Sequence, residues 1–197
     1  MKRSATESST CQDDSPDDRM LLDAVRLRDR SAFTALYRRY HPRLYGYLRR
    51  LSSNISIVEE VLDDVMFVVW KDAGRFRDRS AVSSWIFGIA YNKAMSAIRK
   101  ENRHHAILDR STDADSLPAR AARDLDLIGA ALAELSPDHR QVVVLTYFCG
   151  FSYREISKIA GCPVNTVKTR MFHARRRLKF LLPELAGSAR EVHREHA

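Results

Sequence analysis

The 197-residue chain has 33 Lys and Arg against 25 Asp and Glu, a formal charge of +8, with 45% hydrophobic residues and only 7 Gly and 6 Pro. That balance excludes collagenous and wholly disordered chains and predicts a packed core. The cation excess points to a polyanion, nucleic acid ahead of an anionic membrane surface, because each Lys or Arg set on a phosphate releases counterions. Val65-Met66-Phe67-Val68-Val69-Trp70, the longest purely apolar run of the first half, falls far short of the ~20 residues that cross a bilayer, so no membrane insertion is expected. The start, Met1 to Glu7, runs into Asp13, Asp14, Asp17 and Asp18 without the apolar core of a signal peptide, which predicts a cytoplasmic protein. Cys11, Cys149 and Cys162 show no C-x-x-C spacing and are expected as free thiols.

In chain order, residues 1–25 are polar and acidic and predict a flexible tail. From Phe33, apolar Leu36, Tyr37, Tyr40, Leu44, Tyr47, Leu48 and Leu51 recur at steps of three and four, a helix that Pro42 should kink or interrupt. Val58, Val61, Leu62, Val65 and Val69 mark a second helix, with Ser53 or Asn54 as its cap. Trp85, Ile86, Ile89, Ala90, Ala94 and Ile98 mark a third, from about Ser83 to Lys100. Together these define a helical domain over residues 26–102. Residues 103–124 are turn-rich and lack a sustained apolar face, which predicts a flexible linker. Helical period returns with Leu127, Ile128, Ala131, Leu132 and Leu135, and Ser136-Pro137 opens a further helix with proline first. A second domain is expected over residues 125–184 and a polar tail over 185–197. Without strand alternation or a Gly-rich phosphate loop, the fold class is all-α, two small helical domains joined by a linker.

The strongest local signal lies between Phe151 and Met171, which parses as helix, turn, helix. Ser152 and Glu155 form a capping box, Ile156, Ile159 and Ala160 supply a buried face, and Gly161 permits the left-handed backbone that ends the first helix. Val167 and Met171 point inward from the second helix. Its outer face carries Asn165, Thr166, Lys168, Thr169, Arg170, Phe172 and His173, then Arg175, Arg176, Arg177 and Lys179, with no acid between Glu155 and Glu184. Lys and Arg neutralise phosphates, Arg and Asn bond base edges, and an aromatic ring or Thr methyl touches thymine methyls. A solvated basic helix end would look similar, but an acid-free run of this length beside a helix-turn-helix favours DNA.

Two features of the first domain refine the purpose. Arg75 to Ser80 and Trp85 to Lys93 interleave aromatics with cations, the composition that binds an unstacked strand. Trp85 and Ile89 share a helical face and read as core, which leaves Phe76, Asn92 and Lys93 as the better candidates. Glu59, Glu60, Asp63 and Asp64 lie opposite the apolar face of the second helix, with Phe67 among them. No His or Cys lies nearby, so neither a catalytic nor a metal site is expected, and no cofactor or small-molecule substrate. An aromatic anchor ringed by charge instead fits a docking surface.

These motifs, in this order, resemble the sigma-70 family in its small extracytoplasmic-function (ECF) branch, which keeps only regions 2 and 4. The match runs from about Ala32 to Leu182. Val58 to Phe67 resembles the polymerase-binding helix, which assigns core RNA polymerase contact to Glu59, Glu60, Asp63, Asp64 and Phe67. Arg75 to Lys100 resembles the segment that opens and reads the minus-10 promoter element, implicating Phe76, Arg77, Arg79, Ser80, Asn92 and Lys93. Leu135-Ser136-Pro137 with Arg140-Gln141-Val142, the helix-turn-helix and Ala174 to Leu178 resemble the minus-35 reader. That assigns promoter DNA to Asn165, Thr166, Lys168, Thr169, Arg170, Phe172, His173, Arg175 and Arg176. The resemblance implies a non-enzymatic sigma factor held by an anti-sigma factor; the rival reading is a dimeric helix-turn-helix regulator. Asp63, Val68, Asn165 and His173 depart from the family's usual Gln, Arg, Gly and Arg. His104, His105 and Cys149 fit no standard ligand spacing.

Overall fold

Leu22 and Val25, three residues apart and fully buried, set the inner edge of the first helix, α1 (Pro16–Arg26). The computed structural model describes residues 16–77, 80–108 and 125–194. α1 corrects the expectation of a tail reaching residue 25. Its Asp18 is buried and accepts a 2.5 Å hydrogen bond from the Tyr40 hydroxyl, and both Asp17 and Asp18 pair with Arg39. Asp17 and Asp18, which read as solvated by themselves, are anchored by one guanidinium and a phenol on the next helix.

That helix, α2 (Arg30–Arg49), starts at Asp29, whose carboxylate accepts from the backbone N–H groups of Ser31 (2.7 Å) and Ala32 (3.1 Å). It continues through Pro42 and is not interrupted there. Pro42 and Arg38 are both exposed, so the Arg38 carbonyl that the missing N–H would have bonded can turn to water. α3 (Ile55–Asp72) is capped by Asn54 and buries Val58, Val61, Leu62, Val65, Met66 and Val69 against α2 and α4. A 3-10 turn (Ala73–Arg75) then leads toward α4 (Val82–Leu108). α4 runs to Leu108, past the expected linker boundary at 103, because no Gly or Pro stands between Arg103 and Leu108 to stop it. Residues 109–124 of the expected linker lie outside the described residues.

α5 (Leu125–Ala133), α6 (Pro137–Tyr147), α7 (Tyr153–Ala160) and α8 (Val164–Arg194) form the second half. Ser152 and Glu155 close a reciprocal capping box at the start of α7, and Gly161 ends it with φ 61°, a conformation favourable to glycine. α8 continues to Arg194 through Pro183, so helix replaces the start of the expected polar tail at 185; Leu, Ala, Arg and Glu dominate there and favour helix. Among the described residues there is no strand, in accord with the all-α expectation.

The two halves are not held apart. α4 packs along α7, and one apolar core runs through both halves. Phe87 meets Phe151 edge-on with ring centroids 5.0 Å apart, and the Arg50 guanidinium lies 4.3 Å from the Phe148 ring centroid. The Tyr47 hydroxyl donates to Gln141 Oε1 at 2.8 Å in a fully buried position, and Arg140 Nη1 donates to the Leu51 carbonyl at 2.7 Å. Burial holds the Tyr47 phenol well above its ordinary pKa, with Cys149 adding to the shift.

Candidate nucleic-acid and polymerase interfaces

Val167, Met171 and Ala174 sit at steps of three and four and are buried, which fixes the rotation of α8. Asn165, Lys168, Thr169, Phe172, His173, Arg175 and Arg176 are consequently exposed, and Thr166 is half-buried. Phe172, 62% exposed, is an apolar ring in the middle of a cationic face. The Thr169 hydroxyl donates to the Asn165 carbonyl at 3.0 Å. Arg170 is turned inward: its guanidinium bonds Asp138 at 2.7 Å on α6 and hydrogen-bonds Tyr91 on α4. The expected phosphate contact of Arg170 is therefore occupied by internal partners in this conformation. Arg175 donates to the Tyr147 hydroxyl through Nε (2.9 Å) and Nη2 (2.6 Å), a contact that raises its pKa. Tyr147 was not singled out by sequence, although an aromatic closing a helix just before a helix-turn-helix is a usable signal.

The minus-10 candidates divide. Phe76 is only 7% exposed and packs on Trp85 with centroids 5.6 Å apart, which corrects its selection over Trp85 as an open stacking platform; Trp85 itself is half-buried. Phe76 is held because the 3-10 turn folds it back over the start of α4. Arg77 is exposed, Ser80 is half-buried, and Arg79 lies outside the described residues. Asn92 is exposed. Lys93 Nζ contacts Asp64 Oδ2 at 2.7 Å, joining a minus-10 candidate to a polymerase candidate. That pair is about half exposed and contributes at most ~1 kcal/mol, so a partner can displace it cheaply.

Along α3, Glu59, Glu60, Asp63 and Asp64 are exposed, and Phe67 rises among them with 61% of its surface open. Outward carboxylates here are a geometric consequence of burying Val58, Val61, Leu62 and Val65. Among the described residues no three His, Cys, Asp or Glu side chains form a metal-binding group, and no helix is long and apolar enough to cross a membrane. Neither Cys149 nor Cys162 is in a disulfide, and Cys149 is buried.

A profile described as Sigma-70 region 2 matches residues 36–104, and one described as Sigma-70, region 4 matches residues 125–178. The chain is similar to the ECF RNA polymerase sigma factor RpoE of Cereibacter sphaeroides, 32% identical over 166 residues covering 81% of this chain and 91% of the relative. It is also similar to the RNA polymerase sigma factor CarQ of Myxococcus xanthus, 33% identical over 172 residues, 81% of this chain and 95% of the relative. Among solved structures, the sigma factor RpoE in complex with the anti-sigma factor NepR from Bartonella quintana matches with TM-score 0.65 and 30% identity, covering 77% of this chain and 96% of that one. CnrH in complex with the cytosolic domain of CnrY matches with TM-score 0.68 and 26% identity, covering 85% of this chain and 98% of that one. With both regions in order and relatives matched across nearly their full length, the chain belongs to the ECF RNA polymerase sigma factors, non-enzymatic proteins of promoter-specific transcription initiation.

Proposed function

We propose that the acidic face of α3 around Phe67 binds core RNA polymerase, that the start of α4 with Arg77, Ser80, Asn92 and Lys93 reads and opens the minus-10 element, and that α8 reads the minus-35 element. Residues 26–102 and 125–184 act as the two functional units, and α1 belongs structurally with the first of them. The observation that carries the reading is the α8 face. Three buried side chains fix its rotation, and the exposed remainder as far as Lys179 is cationic, acid-free and punctuated by Phe172. Arg175, held by Tyr147, is preorganised to take a phosphate at little entropic cost.

Run-off transcription with core polymerase and upstream fragments of the source genome tests this. Initiation at discrete sites only when the protein is added is the expected result. A palindromic footprint formed without polymerase, with no added initiation, would replace it with a dimeric regulator. Two of the similar structures hold NepR and CnrY, and an anti-sigma partner is the corresponding control here, with the protein acting in the cytoplasm. Co-purification of a small regulatory protein that blocks run-off initiation is the expected sign of it.

A further inference from the structure

The first turn of α6 reads Pro137-Asp138-His139-Arg140, and the Asp138–Arg170 ion pair at 2.7 Å pins this turn against the side of α8. The pinning brings the imidazole of His139 to 6.0 Å from that of His173, centroid to centroid, with the ring planes 27° apart. Phe172 meets His173 edge-on at 5.4 Å. His139 is half-buried and His173 exposed, so the pair opens onto the same surface as Lys168, Thr169 and Arg176.

The charges around His139 come from three helices. On α6 they are Asp138 and Arg140, on α8 Arg170 and His173, and behind Arg170 the Tyr91 phenol of α4. Arg140 is directed away, into the carbonyls of Leu51, Ala133 and Leu135. Asp138 is matched by Arg170, and among the described residues neither imidazole hydrogen-bonds a carboxylate. Burial, then His173, hold His139 below the ordinary imidazole pKa, against the opposing pull of Asp138. The free protein thus presents two closely spaced imidazoles within a cationic surface that disfavours a proton on His139.

We infer that His139 and His173 together take one phosphate of the minus-35 DNA, with one proton bound from solvent as the phosphate arrives. This rests on the reading of α8 as the minus-35 helix. In a helix-turn-helix the recognition helix lies in the major groove and neighbouring helices meet the sugar-phosphate backbone, so a side chain on α6 beside α8 reaches phosphate rather than base. An imidazolium gains a charge-assisted hydrogen bond to that phosphate, and its second N–H remains available to water. The phosphate also supplies the negative charge that the surrounding guanidinium groups lack, which raises the imidazole pKa in the complex. Affinity therefore increases as pH falls between the bound and the free pKa values, then levels off below the free value, where both states carry the proton.

The test uses holoenzyme reconstituted with core polymerase and a promoter duplex recovered from the run-off experiment. Binding is followed by fluorescence anisotropy at pH 6, 7 and 8 at constant ionic strength. Wild type, His139→Gln, His173→Gln and Lys168→Ala are compared, with circular dichroism melts to establish that each variant is folded. Wild-type affinity is expected to rise several-fold from pH 8 to pH 6, up to about tenfold for a one-unit pKa change. His139→Gln should leave affinity at pH 8 within about twofold and flatten the rise, since each decade corresponds to one pKa unit. The contribution of polymerase to the pH profile cancels in the ratio of variant to wild type. A His139→Gln profile parallel to wild type, whether at equal or weaker affinity, overturns the inference. Lys168→Ala reports on the parent reading: unchanged binding at every pH would mean that α8 is not the minus-35 helix.

Discussion

Phe67 and Asp18 show how differently single residues can be read. Phe67 is legible in the sequence because helical period puts it among carboxylates, off the apolar face, and the structure leaves it 61% exposed. Since it supports no core, Phe67→Ala should leave the melting temperature unchanged while weakening core polymerase binding by about tenfold or more, the scale of an interface hot spot. Titration of labelled core polymerase with the variant measures this; unaltered affinity would move the docking surface elsewhere. Asp18 is the opposite case. Within the run Asp13, Asp14, Asp17 and Asp18 nothing marks it out, because its partners Arg39 and Tyr40 stand one helix later. In the fold it is buried, and Asp18→Ala removes the carboxylate that accepts from the Tyr40 hydroxyl and pairs with Arg39. Urea unfolding should show a loss of about 2 kcal/mol, the range for losing a buried hydrogen bond to a charged group. A loss near zero would mean that α1 is dispensable to the core.

At the scale of elements, what is specified within a few residues was legible and what depends on a neighbour was not. The capping box of Ser152 and Glu155, the left-handed Gly161 and the inward Val167 and Met171 are local, and the structure contains each of them. Pro42 misleads because the cost of a proline depends on whether the freed carbonyl can reach water. Phe76 misleads for a related reason: composition suits it to a stacking surface, but the path of the 3-10 turn lays it on Trp85. The capping box offers a direct test of how α7 supports α8. Ser152→Ala should cost about 1 kcal/mol of stability. Because α7 supports α8, the proposed recognition helix, promoter binding should weaken more than core polymerase binding, and measuring both affinities on one preparation separates the two. Equal losses would mean that α7 serves the whole fold and not the DNA-reading half alone.

At the scale of the whole molecule, the sequence indicated two halves, but not that they share a core. Promoter elements named for positions −35 and −10 lie about 85 Å apart along B-DNA, at roughly 34–36 Å per 10 base pairs. A packed chain of this size has a radius of gyration of only about 16 Å. The α4–α7 seam must therefore open when both halves engage one promoter. The neighbouring contact of α6 with the end of α2 suits opening too: Gln141 Nε2 and Arg140 Nε are buried there without hydrogen-bond partners among the described residues, and each recovers a water on separation. Gly88 sits in the α4–α7 seam, where an added Cβ would lie 3.8 Å from the Ile159 carbonyl oxygen, an ordinary contact. Gly88→Ala should then fit and stabilise α4 by about 0.5–1 kcal/mol. A leucine at the same position pushes a branched side chain beyond that contact toward the Ile159 backbone and should separate the halves without unfolding either. Small-angle scattering of Gly88→Leu is expected to give a larger radius of gyration at unchanged helical content, and its holoenzyme should bind promoter at least as well as wild type. A radius equal to wild type would show that the seam yields locally, and weaker promoter binding by an opened molecule would show that contact between the halves is retained on DNA.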